Sequence, residues 1–170
     1  MAIRILGGIL ICASCGLLGL YMGHRGVVRA KHLMEFKQSL LLLKSEIEFA
    51  VYALPEAFVN VSNKAGENLR DFYTNISRRL ENKADLANVW EEGLKELKNS
   101  NLTDEDLEAI RSLGKSLGSI DAEIQIKAID MTIMALDDIL IRLNAQNVKD
   151  GKMYRRLGLL GGMLITVILL

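Results

Sequence analysis

The side chains able to do chemistry are few in this chain, and their spacing does not assemble a catalytic centre. His24 and His32 are the only histidines and stand eight residues apart, so a metal site would need further ligands from elsewhere; surface histidines are the simpler reading. Cys12 and Cys15 both fall in an N-terminal apolar run. The remainder therefore has no thiol for a disulfide framework or a four-ligand zinc site. The carboxylate pairs Glu46/Glu48 and Asp137/Asp138 are two residues and one residue apart. On a helix such neighbours point to different faces, so neither pair is a preassembled acid/base dyad, and solvated faces account for them. The segment GKSLG, Gly114 to Gly118, lacks both the GxxxxGK[ST] spacing and the preceding strand of a nucleotide-binding loop. No enzyme activity and no cofactor are expected.

Charge is the chemistry that remains. The formal net charge of zero is an average over unlike regions. Residues 1–34 and 139–170 carry nine Lys/Arg against one acid, Asp150, whereas residues 85–138 carry thirteen acids against five bases. A nucleic-acid binder needs a basic folded face, which this middle region does not provide. The acids Glu91, Glu92, Glu96, Asp104, Glu105, Asp106 and Glu108 form a candidate partner surface, dense enough to steer a soluble protein carrying a basic patch. Ordinary solubilising charge competes with that reading, since Asp104 to Asp106 also suit the first turn of a helix.

The elements that must position these groups read as all-α. Half of the residues are apolar, but only one is Pro and nine are aromatic, a composition that suits long helices better than strands. Ile5 to Met22 is an uncharged run of 18 residues, about the minimum for a helix crossing a ~30 Å hydrocarbon core. A cleaved signal peptide and a lipoprotein modified at Cys15 are the competing readings. Leu157 to Leu170 is shorter, 14 residues, and reaches 18 when Met153 to Arg156 are included, with Arg155 and Arg156 snorkelling to the headgroups. A buried core helix is the alternative there. The expected organisation is an N-terminal transmembrane anchor at 1–24, a soluble helical bundle at 25–152 and a C-terminal anchor at 153–170. Arg25, Arg29, Lys31 and Lys37 follow the first span and Arg142, Lys149, Lys152, Arg155 and Arg156 precede the second, so the bundle should face the cytoplasm with both termini outside. Gly19 with Gly23, and Gly158 with Gly162, have the small-xxx-small spacing that lets membrane helices pack together or against partner subunits. A homo-oligomer is one outcome of such packing.

Within the bundle Leu33, Phe36, Leu40, Leu43, Ile47, Ala50 and Leu54 alternate at intervals of three and four, one apolar seam on a helix from about Val27 to Tyr52. Pro55 ends it and opens a short helix. Leu69, Phe72, Tyr73, Ile76 and Leu80 face inward on the next; Ala87, Trp90, Leu94 and Leu97 do so on a fourth, with Trp90 the largest body available to lock the bundle. Thr103 reads as an N-cap for a fifth helix with Leu107, Ile110, Leu113 and Leu117 inside, and Gly118 as its left-handed terminator. Asp121 is placed to cap the last helix. There Ile124, Ile126, Ile129, Ile133, Met134, Leu136, Ile139, Leu140, Ile141 and Leu143 cover more than one face, which predicts a central, largely buried element.

The succession LLLLKSEIEF (Leu40 to Phe49), Pro55-Glu56-Ala57, Trp90-Glu91 with Leu94, LTDEDLEAIRSLGKSLGSIDAEIQ (Leu102 to Gln125) and KMYRRLGLLGGMLITVILL (Lys152 to Leu170) resembles the stage III sporulation protein AB family. The resemblance runs from end to end. It implies a component of the membrane complex joining mother cell and forespore, with a soluble domain similar to the type II secretion F domain. The implied partners are the dedicated cytoplasmic ATPase of that system, stage III sporulation protein AA, other membrane components of the complex and the lipid bilayer. It carries over no catalytic residue. A membrane-anchored helical sensor or signalling adaptor is the rival reading, separated from the first by topology.

Overall fold

The computed structural model describes the backbone of residues 2–49, 53–97, 101–119 and 121–169, and side chains within 26–49, 53–97, 101–119 and 121–149. Among the described residues the secondary structure is all helical: α1 Ala2–Phe49, α2 Leu54–Lys64, α3 Glu67–Glu81, α4 Leu86–Leu97, α5 Asp104–Leu117 and α6 Ala122–Leu169. The chain divides into two compact units, one made of Met1–Val28 with Arg142–Leu170 and the other of Arg29–Ile141. Among the described residues no helix is long and apolar enough to cross a membrane. Both apolar ends, with Gly19, Gly23, Gly158 and Gly162 and with Cys12, Cys15 and His24, lie outside the residues whose side chains are described. In the first unit, Gly26 on α1 meets Asn147 on α6 so closely that a Cβ would sit 2.0 Å from the Asn147 Oδ1, and only a turn of that amide would make room.

The second unit is built on the seam of α1. Leu33, Phe36, Leu40 and Leu43 are fully buried, and Ile47 is half-buried. Ala50 lies outside the described residues. Helices α3 and α4 bring Phe72, Tyr73 and Trp90 against Phe36, and α2 brings Phe58 against Tyr73 and Trp90. Phe72 meets Tyr73 and Trp90 edge to face at 5.0 and 5.2 Å between ring centres, Phe36 meets Trp90 edge-on at 6.4 Å, and Phe58 stacks on Tyr73 at 6.0 Å. The edge-on pairs set positive ring edges on negative faces, and such pairs, like stacked ones, add about 0.5–1.5 kcal/mol each beyond the burial itself. The Tyr73 hydroxyl shares a 2.6 Å hydrogen bond with Ser39 Oγ. Burial pushes the Tyr73 phenol well above its ordinary value, against the pull of that hydrogen bond.

Local signals explain most boundaries. Pro55 sits in the first turn of α2, where a missing N–H is no loss. Gly66 is the N-cap of α3. Asn101 takes φ 61° before α5, a left-handed conformation that Asn tolerates better than most residues. The Asp121 side chain accepts from the Glu123 N–H at 2.8 Å, so it does cap α6. Gly118 departs from expectation, because its φ of −75° and ψ of −3° are right-handed and α5 stops without a left-handed residue. A Cβ at Gly118 would meet nothing nearer than 3.8 Å.

Helix α6 also departs from expectation. Ile129, Leu136, Ile139, Leu140 and Leu143 are buried, but Ile124, Met131, Met134 and Ile141 are exposed. The breadth of its apolar pattern reflects two faces, of which one is packed on the bundle and the other open. Two ion pairs fasten α6 to α1, Lys37 Nζ to Asp137 Oδ1 at 2.5 Å and Lys44 Nζ to Asp130 Oδ1 at 2.7 Å. A step of seven residues forward on α1 matches seven backward on α6, so the helices run antiparallel.

Candidate functional site

The acids singled out by the sequence lie on α4 and α5, two helices held together by one tryptophan. Trp90 donates its indole N–H to the Ile110 carbonyl at 3.2 Å, and Gly114 lies against its ring. A Cβ at Gly114 would come within 2.5 Å of the indole. The segment GKSLG thus has a packing reason for its first glycine, namely the close approach of α5 to Trp90. Gly93 has the same relation to Phe72, with a would-be Cβ contact of 2.7 Å. These contacts, with Leu86, Val89, Leu94 and Leu97 of α4 and Leu107, Ile110, Leu113 and Leu117 of α5 buried, turn the charged residues of both helices outward.

Asp106 is the exception, and it leaves the candidate surface. Its side chain is fully buried and accepts from Arg29 Nε and Nη2 at 2.8 Å each and from the Thr103 N–H at 2.8 Å. The Thr103 hydroxyl accepts from the Asp106 N–H in return, completing a capping box at the start of α5. One carboxylate therefore caps a helix and binds a guanidinium of α1. The Arg29 pKa is raised, chiefly by its hydrogen bonds to Asp106 and against the cost of burial. Asp104 and Glu105 precede it in the same first turn and are exposed, where they favour the helix dipole.

The other acids remain at the surface, with partial neutralisation by nearby arginines. Arg111 of α5 donates to Glu91 of α4 at 2.9 Å and to Glu108 one turn back on its own helix. The hydrogen bond to Glu91 is the first cause that raises the Arg111 pKa. Glu92 pairs with Arg79 of α3 at 2.5 Å. Glu96 is exposed on the last turn of α4. Arg111 thus joins Glu91 to Glu108 and Arg79 joins Glu92 to α3, while Glu96, Asp104 and Glu105 are exposed on the same two helices; the sequence pattern gave no reason to include the two arginines. Where they pair, these arginines and carboxylates alternate in sign in place of an unbroken negative field.

Elsewhere the isolated groups take up structural contacts. Glu46 accepts from Asn60 and Lys64 of α2 at 2.9 and 3.2 Å. Those hydrogen bonds, Asn60 first, hold its carboxyl below the usual carboxylate range against the effect of burial. Asp137 is occupied by Lys37. Among the described residues no group of three or more His, Cys, Asp or Glu is placed to hold a metal ion.

Compared with known proteins, the chain matches the family described as Stage III sporulation protein AB (spore_III_AB) over residues 4–170. It is 23% identical over 170 residues to stage III sporulation protein AB of Bacillus subtilis (strain 168), with 99% of each chain covered. A solved structure of stage III sporulation protein AB (SpoIIIAB) superposes with a TM-score of 0.65 at 20% identity, covering 71% of this chain and 97% of that one. At that identity the likeness shows the fold.

Proposed function

Because the chain belongs to the stage III sporulation protein AB family, we propose that it is a two-pass membrane platform whose helical bundle, on the cytoplasmic mother-cell side, docks and regulates the ATPase of the sporulation complex, stage III sporulation protein AA. The terminal runs Ile5 to Met22 and Met153 to Leu170 serve as the two spans in this reading, and their Gly pairs, Gly19/Gly23 and Gly158/Gly162, as packing rows. The observation that supports the docking role is that Glu92, Glu96, Asp104, Glu105 and Glu108 are exposed and Glu91 half-buried on α4 and α5, two helices joined by Trp90 and by the Glu91–Arg111 pair. A partner with a basic patch would meet this surface, and association would be fast and salt-sensitive.

The test is binding of the purified ATPase to the full chain carrying Glu91→Lys, Glu92→Lys and Glu96→Lys together. At least a tenfold loss of affinity at low salt is expected, with helicity unchanged and with added salt weakening the wild-type complex in parallel. Binding indifferent to both the reversals and salt removes this surface from the interface. Topology is checked separately with Ser112→Cys in a Cys12/Cys15-free chain, where protection from an impermeant thiol reagent in intact cells is expected.

A further inference from the structure

The open face of α6 continues onto α1. The pairs Lys37–Asp137 and Lys44–Asp130 fix which residues stand level on the two antiparallel helices. Three residues before each lysine on α1 comes an exposed apolar side chain, Met34 (41% exposed) or Leu41 (48%). Four residues after each aspartate on α6 comes another, Ile141 (68%) or Met134 (69%). Because the helices are antiparallel, both offsets run toward the same end, so Met34 is level with Ile141 and Leu41 with Met134. Residues three or four apart on a helix are neighbours. Each ion pair is therefore flanked by an apolar residue on either helix.

Both rows have the spacing of a packing seam. Met34 and Leu41 are seven apart, as are Met134 and Ile141, the interval at which one ridge of a helix meets a partner helix throughout its length. The next step of seven takes α1 to Glu48 and α6 back to Lys127, both exposed. They are level with each other by the same register. The face thus ends on opposite charges, one on each helix.

We propose that this face is a self-complementary interface by which two copies of the chain associate, α1 of each lying on α6 of the other in a four-helix arrangement about a two-fold axis parallel to the helices. A two-fold interface places residue i against j and j against i. Met34 then meets the partner's Ile141, Leu41 the partner's Met134, and Glu48 the partner's Lys127. Every helix has antiparallel neighbours, and the two rows that one copy leaves in water are covered by the other. In a same-row pairing of parallel helices, Lys127 would face Lys127 and Glu48 would face Glu48, and like charges there repel. The direction of the axis rests on the membrane reading: α1 enters the unit at Arg29 and α6 leaves it at Ile141, at one and the same end, so only an axis along the helices keeps all four chain ends on one side.

The test uses the full chain in native membranes, in a Cys12/Cys15-free background. A Met34→Cys chain is co-expressed with an Ile141→Cys chain bearing a different tag, and mild oxidation should join the two tags in one band. Glu48→Lys or Lys127→Glu introduced in both copies should each lower the yield about tenfold, and the two together should restore it. Trp90 emission verifies that every variant is folded. Absence of the mixed disulfide, a yield that ignores the charge reversals, or ready linkage of Ile124→Cys to Ile141→Cys, which requires α6 to run antiparallel to itself, would each overturn the interface. Alkaline extraction of the same membranes reads the anchoring separately. Chain retained in the pellet without the mixed disulfide refutes the interface and leaves the platform standing; chain released into the supernatant refutes the anchors.

Discussion

Among the carboxylates that bind cations or amides, Asp106, Glu46 and Glu91 differ chiefly in how much water reaches them. Asp106 is 0% exposed and holds Arg29, Glu46 is 14% exposed and holds Asn60 and Lys64, and Glu91 is 36% exposed and holds Arg111. Coulomb energy between unit charges falls several-fold as the surroundings change from protein interior to water. Similar hydrogen-bond lengths therefore describe unlike contributions: a pair that the fold depends on, one that biases stability with pH, and one that leaves the fold almost untouched and shapes the surface.

The largest expected effect is at Asp106. Asp106→Ala removes both bonds to the half-buried Arg29 guanidinium and strips the cap from Thr103, and should destabilise the bundle by about 3–5 kcal/mol, the usual cost of breaking one side of a buried pair. Urea titration followed by Trp90, the chain's single tryptophan, measures this. A loss below about 1 kcal/mol, the range of exposed pairs, would erase the distinction between Asp106 and Glu91.

The contrast between buried and exposed sites extends to two glycines in one short segment. Gly114→Ala drives a methyl to within 2.5 Å of the Trp90 ring and should cost about 1–3 kcal/mol through overpacking. Gly118→Ala has open space and right-handed backbone, so it should be neutral or stabilise by a few tenths of a kcal/mol, since alanine loses less entropy on folding. Equal effects at the two positions would mean that α5 can slide away from the indole. If the α4 acids dock the proposed partner, Gly114→Ala should alter that binding as well as stability, because Trp90 links α4 to α5.

Much of this was legible in the sequence where the signal is local. The alternation of threes and fours from Leu33 to Leu43 marked the buried seam of α1, Thr103 marked the start of α5, and the size of Trp90 marked its place in the core. What failed was long-range or ambiguous. Asp106 looks the same whether its first-turn carboxylate faces solvent or turns inward. Arg29, which turns it inward, is 77 residues away, beyond any spacing argument. Likewise Ile124, Met134 and Ile141 satisfy an apolar pattern that does not distinguish the core of one copy from an open face. At Gly118 the residue type permitted a left-handed end to α5, but the chain did not use it.

Glu46 provides the intermediate case, and its sign is definite. Its folded pKa lies below the ordinary value of 4.5, with Asn60 the first cause. The stabilisation is therefore present above that value, where the unfolded chain is also ionised, and is lost as pH falls through the lower folded pKa. Asn60→Ala should reduce stability at neutral pH by about 1 kcal/mol, the worth of a typical hydrogen bond, and should flatten the decline in acid. Urea midpoints across the acid range for both chains report the difference. Parallel curves would indicate that Lys64 alone sets the Glu46 pKa.

The smallest expected effect on the fold is at Arg111. Its guanidinium reaches Glu91 across the α4–α5 junction and Glu108 on its own helix, but water surrounds it, so Arg111→Gln should leave the urea midpoint within the scatter of repeat measurements. Its hydrogen bond to Glu91 raises a pKa already far above neutrality, so the positive charge persists at any working pH. Removing it makes the outward face of α4 and α5 more negative by one unit and leaves Glu91 and Glu108 without this cation. If the acidic groups steer a basic partner, the variant should associate faster than wild type at low salt, with the two rates converging as ionic strength rises and the Debye length shortens to a few ångströms. Slower association at every salt concentration would show that the guanidinium is itself a contact, and the docking surface would then be the mixed mosaic of arginine and carboxylate rather than its acids alone.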